Sequence, residues 1–164
     1  MRLRLYRRNL LFGLLIAILA SSCTRAPFVP RFDPQIGNLK LVKLIEGEEA
    51  IEEINRLHGT TIQALRGFIA HYENARKKAV IWVSEAESED MAQEQIEVML
   101  RKMKGSPRSP FGHYRDLDRK GLPVVAFEGL RQVHYVFRIG EWVYWMDADA
   151  EHIDTILDHL QKAD

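Results

Sequence analysis

From position 39 onward the apolar residues recur with two periods. Residues 39–45 (LKLVKLI) alternate in part between apolar and basic side chains and predict a strand. Residues 47–58 predict a helix. Glu48, Glu49, Glu52 and Glu53 crowd its start, where negative charge meets the positive end of the dipole. Arg56 and His58 stand at its other end, and Gly59 suits a left-handed C′ position. Ala50, Ile54, Leu57 and His58 share its apolar face, with Ile51 beside it. Strands are predicted over 62–72 and 79–84, with 74–78 as the polar turn between them. The unbroken run Ala79, Val80, Ile81, Trp82, Val83 suits a central strand covered on both faces. Ser88 then caps a helix to about residue 104, with the stripe Ala92, Ile96, Met99, Leu100 and Met103.

Residues 105–123 hold Gly105, Pro107, Pro110, Gly112, Gly121 and Pro123, and they predict a long irregular loop. Beyond it the pattern sharpens. Residues 124–127, 131–139 and 142–147 predict three strands, and Gly140-Glu141 fits a two-residue type II′ turn. That turn sets a register in which Ile139 faces Trp142, Phe137 faces Tyr144 and Tyr135 faces Met146. On the other sheet face it pairs Arg138 with Val143, Val136 with Trp145 and His134 with Asp147. Asp149 is positioned to cap a last helix with the stripe Ile153, Ile156, Leu157 and Leu160. The sum is an α+β fold: a mainly antiparallel sheet with about three helices, in one small domain over 39–164.

The N-terminus follows a different logic. Arg2, Arg4, Arg7 and Arg8 precede an apolar stretch over 10–20, which ends in Ala20, Ser21, Ser22 and the chain's one cysteine, Cys23. Basic segment, short apolar segment and small-residue site make up a secretory signal, and a spanning helix would need ~20 apolar residues. With its cysteine directly after the small residues, ASSC resembles the lipobox of bacterial prolipoproteins, although Ala20 holds the place where Leu is usual. The resemblance implies that 1–22 is a cleaved signal peptide, that the cut falls between Ser22 and Cys23, and that Cys23 carries acyl chains. Thr24, where enteric-type bacteria place Asp to retain lipoproteins at the inner membrane, leans toward the outer membrane by the same resemblance. Residues 23–38, with Pro27, Pro30 and Pro34, then predict an extended tether reaching about 40 Å from the bilayer, unless Phe28, Val29 and Phe32 dock their apolar side chains on the domain instead.

The chain has 23 basic and 23 acidic residues, and the first 22 positions hold four arginines and no acid. The processed chain is therefore mildly acidic, which argues against a nucleic-acid partner. With no second cysteine the fold must rest on its core.

Candidate chemistry is sparse. The histidines His58, His71, His113, His134, His152 and His159 show no spacing that clusters metal ligands on one element, so neither metal nor cofactor is expected. His134 opposite Asp147 is the sharpest polar pair, able to orient an imidazole as a base. Ser84, Ser106 or Ser109 would have to supply a nucleophile, and none lies in a nucleophile-elbow motif. In the loop, Arg108, Arg115, Arg119 and Lys120 surround Phe111 and Tyr114 and form a candidate interaction surface. The aromatic group Trp82, Tyr135, Phe137, Trp142, Tyr144 and Trp145 is either core or an apolar groove. The expectation is a non-enzymatic accessory or interaction module, anchored in the cell envelope through Cys23 and working with another envelope protein. The alternative is a carrier of a small apolar or metal ligand on the aromatic sheet face, and a hydrolase-like enzyme on His134 and Asp147 comes third.

Overall fold

The computed structural model describes residues 28–58 and 61–162. The expected signal peptide, the Ser22–Cys23 cut and the Gly59 helix cap lie outside them.

Eight strands form one antiparallel sheet in the order β1-β2-β3-β4-β8-β7-β6-β5. In chain order they are β1 (Gln35–Ile36), β2 (Leu39–Glu46), β3 (Gly67–Glu73), β4 (Lys78–Glu85), β5 (Phe111–Arg119), β6 (Leu122–Gly129), β7 (Gln132–Ile139) and β8 (Trp142–Asp147). Helix α1 (Glu48–His58) joins β2 to β3, α2 (Glu89–Gly105) carries the chain from β4 to the far edge, and α3 (Ile153–Leu160) follows β8. The expected α+β class with an antiparallel sheet and three helices is therefore observed, with the sheet dominant. The seam of the sheet is β4–β8, where Val80 faces Asp147 and Glu85 faces Trp142. Both strands are flanked on each side, and every residue of β8 is buried.

The sheet curls around α3. Thr155 of α3 meets Gly37 beside β1, while Asp154 and Asp158 reach Arg119 and Lys120 at the β5 edge, at 3.6 and 2.6 Å. One helix thus touches both ends of an eight-strand sheet. Its apolar side (Ile153, Ile156, Leu157, Leu160) fills the concave face together with Ile81, Phe137, Tyr144 and Met146. Phe137 and Tyr144 stack with centroids 4.8 Å apart. Burial raises the Tyr144 phenol well above its ordinary pKa, and its hydroxyl has no hydrogen-bond partner among the described residues.

The convex face carries α1 and α2. Ala50 and Ile54 of α1 pack on Ile45 and Ile69. Gly67 allows that approach, since a Cβ there would lie 3.2 Å from the Ile51 backbone nitrogen. Ala92, Ile96 and Met99 of α2 pack on Val136, Val143 and Trp145. Ser88 accepts from the Met91 N–H at 3.2 Å, as the expected N-cap.

Three expectations need correction. The stretch 105–123 is not a loop, because β5 occupies 111–119 and pairs with β6. A bulge between Gly112 and Arg115 breaks the two-residue period, so Phe111 and Tyr114 share the convex face three residues apart while Leu117 turns to the concave core, and the strand is hidden. Asp149 does not cap α3 with its side chain. The helix begins at Ile153 without a side-chain cap, and the Asp149 carboxylate pairs with Lys77 at 3.0 Å. The described part of the expected tether is packed, not extended. Phe28 and Phe32 join the concave core, and the Phe28 carbonyl accepts from Trp142 Nε1 at 2.9 Å. The Asp33 carbonyl accepts from the Tyr72 hydroxyl at 2.9 Å, and β1 pairs with β2.

The sheet has two ends that matter below. At the Trp142 end lie Glu46, Gly67, Glu85 and Ile139. At the Asp147 end lie Glu73, Lys78, Gly129 and Gln132. The N-terminal segment enters over the Trp142 end. There Arg66 holds Glu85 through two bonds of 2.5 and 2.7 Å and lies 4.8 Å above the Trp142 ring. That contact with Glu85 raises the Arg66 pKa.

Candidate functional site

The β7–β8 turn has the expected register at all six pairs, from Ile139↔Trp142 to His134↔Asp147. Gly140 takes φ 59°, which the first position of a II′ turn requires. That register places His134 and Asp147 side by side on the convex face, beneath Phe111 and Phe127. Both are buried, at 2% and 8% exposure.

Their hydrogen bonds decide what the pair can do. His134 Nδ1 bonds to Asp147 Oδ1. His134 Nε2 donates to the Gly129 carbonyl at 3.0 Å. Trp145 Nε1 donates to Asp147 Oδ1 at 3.2 Å. Around the imidazole, Phe127 stacks at 5.3 Å and Phe111 and Trp145 stand edge-on at 5.0 and 5.8 Å. Both ring nitrogens are occupied by protein, and Nε2, the position a base would use, faces a carbonyl. The expected nucleophiles are elsewhere. Ser84 sits four residues beyond Val80, the β4 partner of Asp147, a span of ~13 Å along a strand. The Ser109 hydroxyl accepts from the Phe111 N–H at 3.3 Å. The geometry is that of a polar clamp joining β7, β8 and the Gly129 turn.

The expected basic surface is divided by the strand it lies on. Phe111 and Tyr114 turn inward onto Phe127, at 5.4 and 5.3 Å. Arg115 pairs with Glu128 at 3.5 Å, Arg119 with Asp154 at 3.6 Å and Lys120 with Asp158 at 2.6 Å. Arg108 is exposed in the connection before β5. The six residues therefore share no single surface.

No group of three His, Cys, Asp or Glu among the described residues could hold a metal ion. Burial, and after it the nearby Lys43, lowers the His71 pKa below its ordinary value. His159 lies 3.6 Å from Asp33 and His152 3.9 Å from Glu151.

A groove that sequence reasoning missed lies between α1 and α2. It encloses about 340 Å³. Met91, Met99 and Met103 of α2 form one wall and Ile62 the other, while Val143 and Trp145 form the floor. Glu94 and Lys102 stand at its edge. The volume lies within the ~300–1,000 Å³ range of small-molecule sites, and methionine walls adapt to varied apolar shapes. The spacing of those methionines was visible in the sequence, but it reads equally as core.

Set against family models, curated proteins and solved structures, the chain matches none of them.

Proposed function

We propose that this chain is a bacterial envelope lipoprotein, held to a membrane by acylated Cys23, that works as a non-catalytic accessory to another envelope protein. Thr24 favours the outer membrane. The observation that carries the reading is the docked N-terminus. The Phe28 carbonyl is already bonded to Trp142, so only the four residues 24–27 separate Cys23 from the folded domain. At full extension the five Cα–Cα steps span at most ~18 Å. An acyl anchor at Cys23 therefore holds the domain close to the bilayer, Trp142 end first. Several acyl chains contribute ~0.8 kcal/mol per buried methylene, enough for firm attachment. The occupied nitrogens of His134 support binding over catalysis.

The test is Cys23→Ser in the native host. The variant is expected to lose both the fatty-acyl mass on residue 23 and its membrane fractionation. Unaltered membrane association overturns the anchor.

The groove between α1 and α2 favours a second reading, a carrier of a small apolar ligand on the aromatic sheet face. Its floor is Trp145, one of the aromatic residues in question. Native mass spectrometry of the purified mature chain is expected under this reading to retain an apolar adduct that Met99→Trp displaces by filling the groove. A clean apo mass from gently extracted protein removes it.

A further inference from the structure

At the Asp147 end of the sheet, the β3–β4 turn and the strands β5, β6 and β7 enclose an open cleft of about 920 Å³. Its lining includes apolar Phe111, Val133 and Ala148 and the cations Arg76, Lys77, Lys78 and Arg131, while its two carboxylates, Glu128 and Asp149, are paired with Arg115 and Lys77. Two of these cations are engaged. Lys77 lies 3.0 Å from Asp149 and 3.7 Å from Glu151, and Lys78 lies 3.7 Å from Glu73. Arg76 and Arg131 are exposed and form no ion pair with any described residue.

The lining is also where the backbone is strained. The β6–β7 turn is Leu130-Arg131, with φ of 50° and 67°. A turn with two left-handed residues selects Asn-Gly, and this one holds a large apolar and a long cationic side chain instead. His113, in the β5 bulge, has φ 53°. Two of the four left-handed non-glycine residues among the described residues, His113 and Arg131, thus line one cleft, and a third, Leu130, is the chain neighbour of Arg131. Strain of this kind persists where the surroundings hold it, and it gathers at binding sites. The His134–Asp147 clamp does the holding here, because His134 Nε2 grips the Gly129 carbonyl next to the turn.

We propose that this cleft docks an acidic segment of a partner protein. Arg76 and Arg131 take its carboxylates, and the apolar lining of Phe111, Val133 and Ala148 takes an apolar side chain. Charge complementarity selects the occupant. Two unpaired guanidiniums suit carboxylate forks, and an apolar lining in the same cleft suits a polypeptide better than a small free anion. The cleft lies at the opposite end of the sheet from the docked Phe28. Its facing away from the membrane, and only that, rests on the proposed anchoring. Glu46 and Glu141 lie at the Trp142 end, so a second copy of this chain is the main rival occupant.

The experiment uses the full mature chain, acylated as purified, in nanodiscs of a neutral phospholipid. A fluorescein-labelled peptide of glutamates and leucines is titrated and followed by anisotropy. Arg76→Glu/Arg131→Glu is expected to weaken binding by at least ~10-fold, with affinity falling as salt rises. Leu130→Asn/Arg131→Gly relaxes the turn. It is expected to raise the thermal midpoint yet still weaken the peptide, which separates lost binding from lost folding. Unchanged affinity in the charge-reversed variant overturns the proposal. So does equal competition by inorganic phosphate, stronger binding of phosphatidylglycerol vesicles, or concentration-dependent self-association abolished by the same reversal. These outcomes assign the cleft to a small anion, a lipid surface or a second copy. Absence of acyl mass on Cys23 fails the anchoring alone and leaves the peptide affinities meaningful.

Discussion

Asp147→Ala is expected to destabilise the domain by about 3–5 kcal/mol, the cost of leaving one half of a buried polar pair alone. The variant removes an oxygen that two side chains share. His134 Nδ1 loses its carboxylate partner, and Trp145 Nε1 loses one of the two acceptors it reaches at 3.2 Å. Water cannot replace it easily, since Phe111, Phe127 and Trp145 enclose the imidazole. A double-mutant cycle with His134→Ala should return a coupling of about 1–3 kcal/mol, as expected for residues in direct contact within one network. Urea unfolding of the four proteins measures it. If Asp147→Ala instead costs no more than a surface change of ~0.5 kcal/mol, the pair is not a structural clamp and the enzymatic reading regains its ground.

Trp142→Ala carries the second large effect, about 3–5 kcal/mol for a large aromatic residue removed from a packed interior. The ring is fully buried, lies against Phe68 at 5.8 Å and sits beneath Arg66. Trp142→Phe separates packing from tethering. It keeps most of the ring but removes the bond to the Phe28 carbonyl, so stability should fall by only about 1 kcal/mol. Residues 28–34 should nevertheless lose hydrogen-exchange protection and become open to protease, which mass spectrometry of the exchanged or cleaved chain reads directly. In an acylated protein the same substitution lengthens the leash and lets the domain move away from the bilayer. Full protection of that segment in Trp142→Phe overturns the role given to the Phe28 bond.

The C-terminal hairpin was legible because two constraints agreed. A two-residue glycine turn fixes the register, and the apolar pattern of β7 and β8 has no competing alignment. The same reasoning paired His134 with Asp147 correctly. It could not see that Gly129, five residues earlier and on another strand, occupies the second ring nitrogen. That bond turns a candidate base into a clamp. The strand β5 stayed hidden because its bulge sets Phe111 and Tyr114 on one face three residues apart and its flanks are full of glycine and proline. The cationic run Arg76, Lys77, Lys78 was visible as a polar turn, but Arg131, its counterpart across the cleft, is 53 residues further along the chain.

Local chemistry in the sequence determined the elements: the first helix from its dipole-matched charges and stripe, the second from its Ser88 cap and stripe, the last from its stripe alone, and most strands from their periods. Tertiary structure alone decided how the sheet curls, since both edges must reach a single short helix to bury the concave face. It also decided that the proline-rich segment from Phe28 onward is packed, because Phe28 and Phe32 bury more apolar surface on Trp142 and Phe68 than an extended leash could. Local spacing encodes which face a residue takes; which distant face it meets depends on how the whole sheet closes.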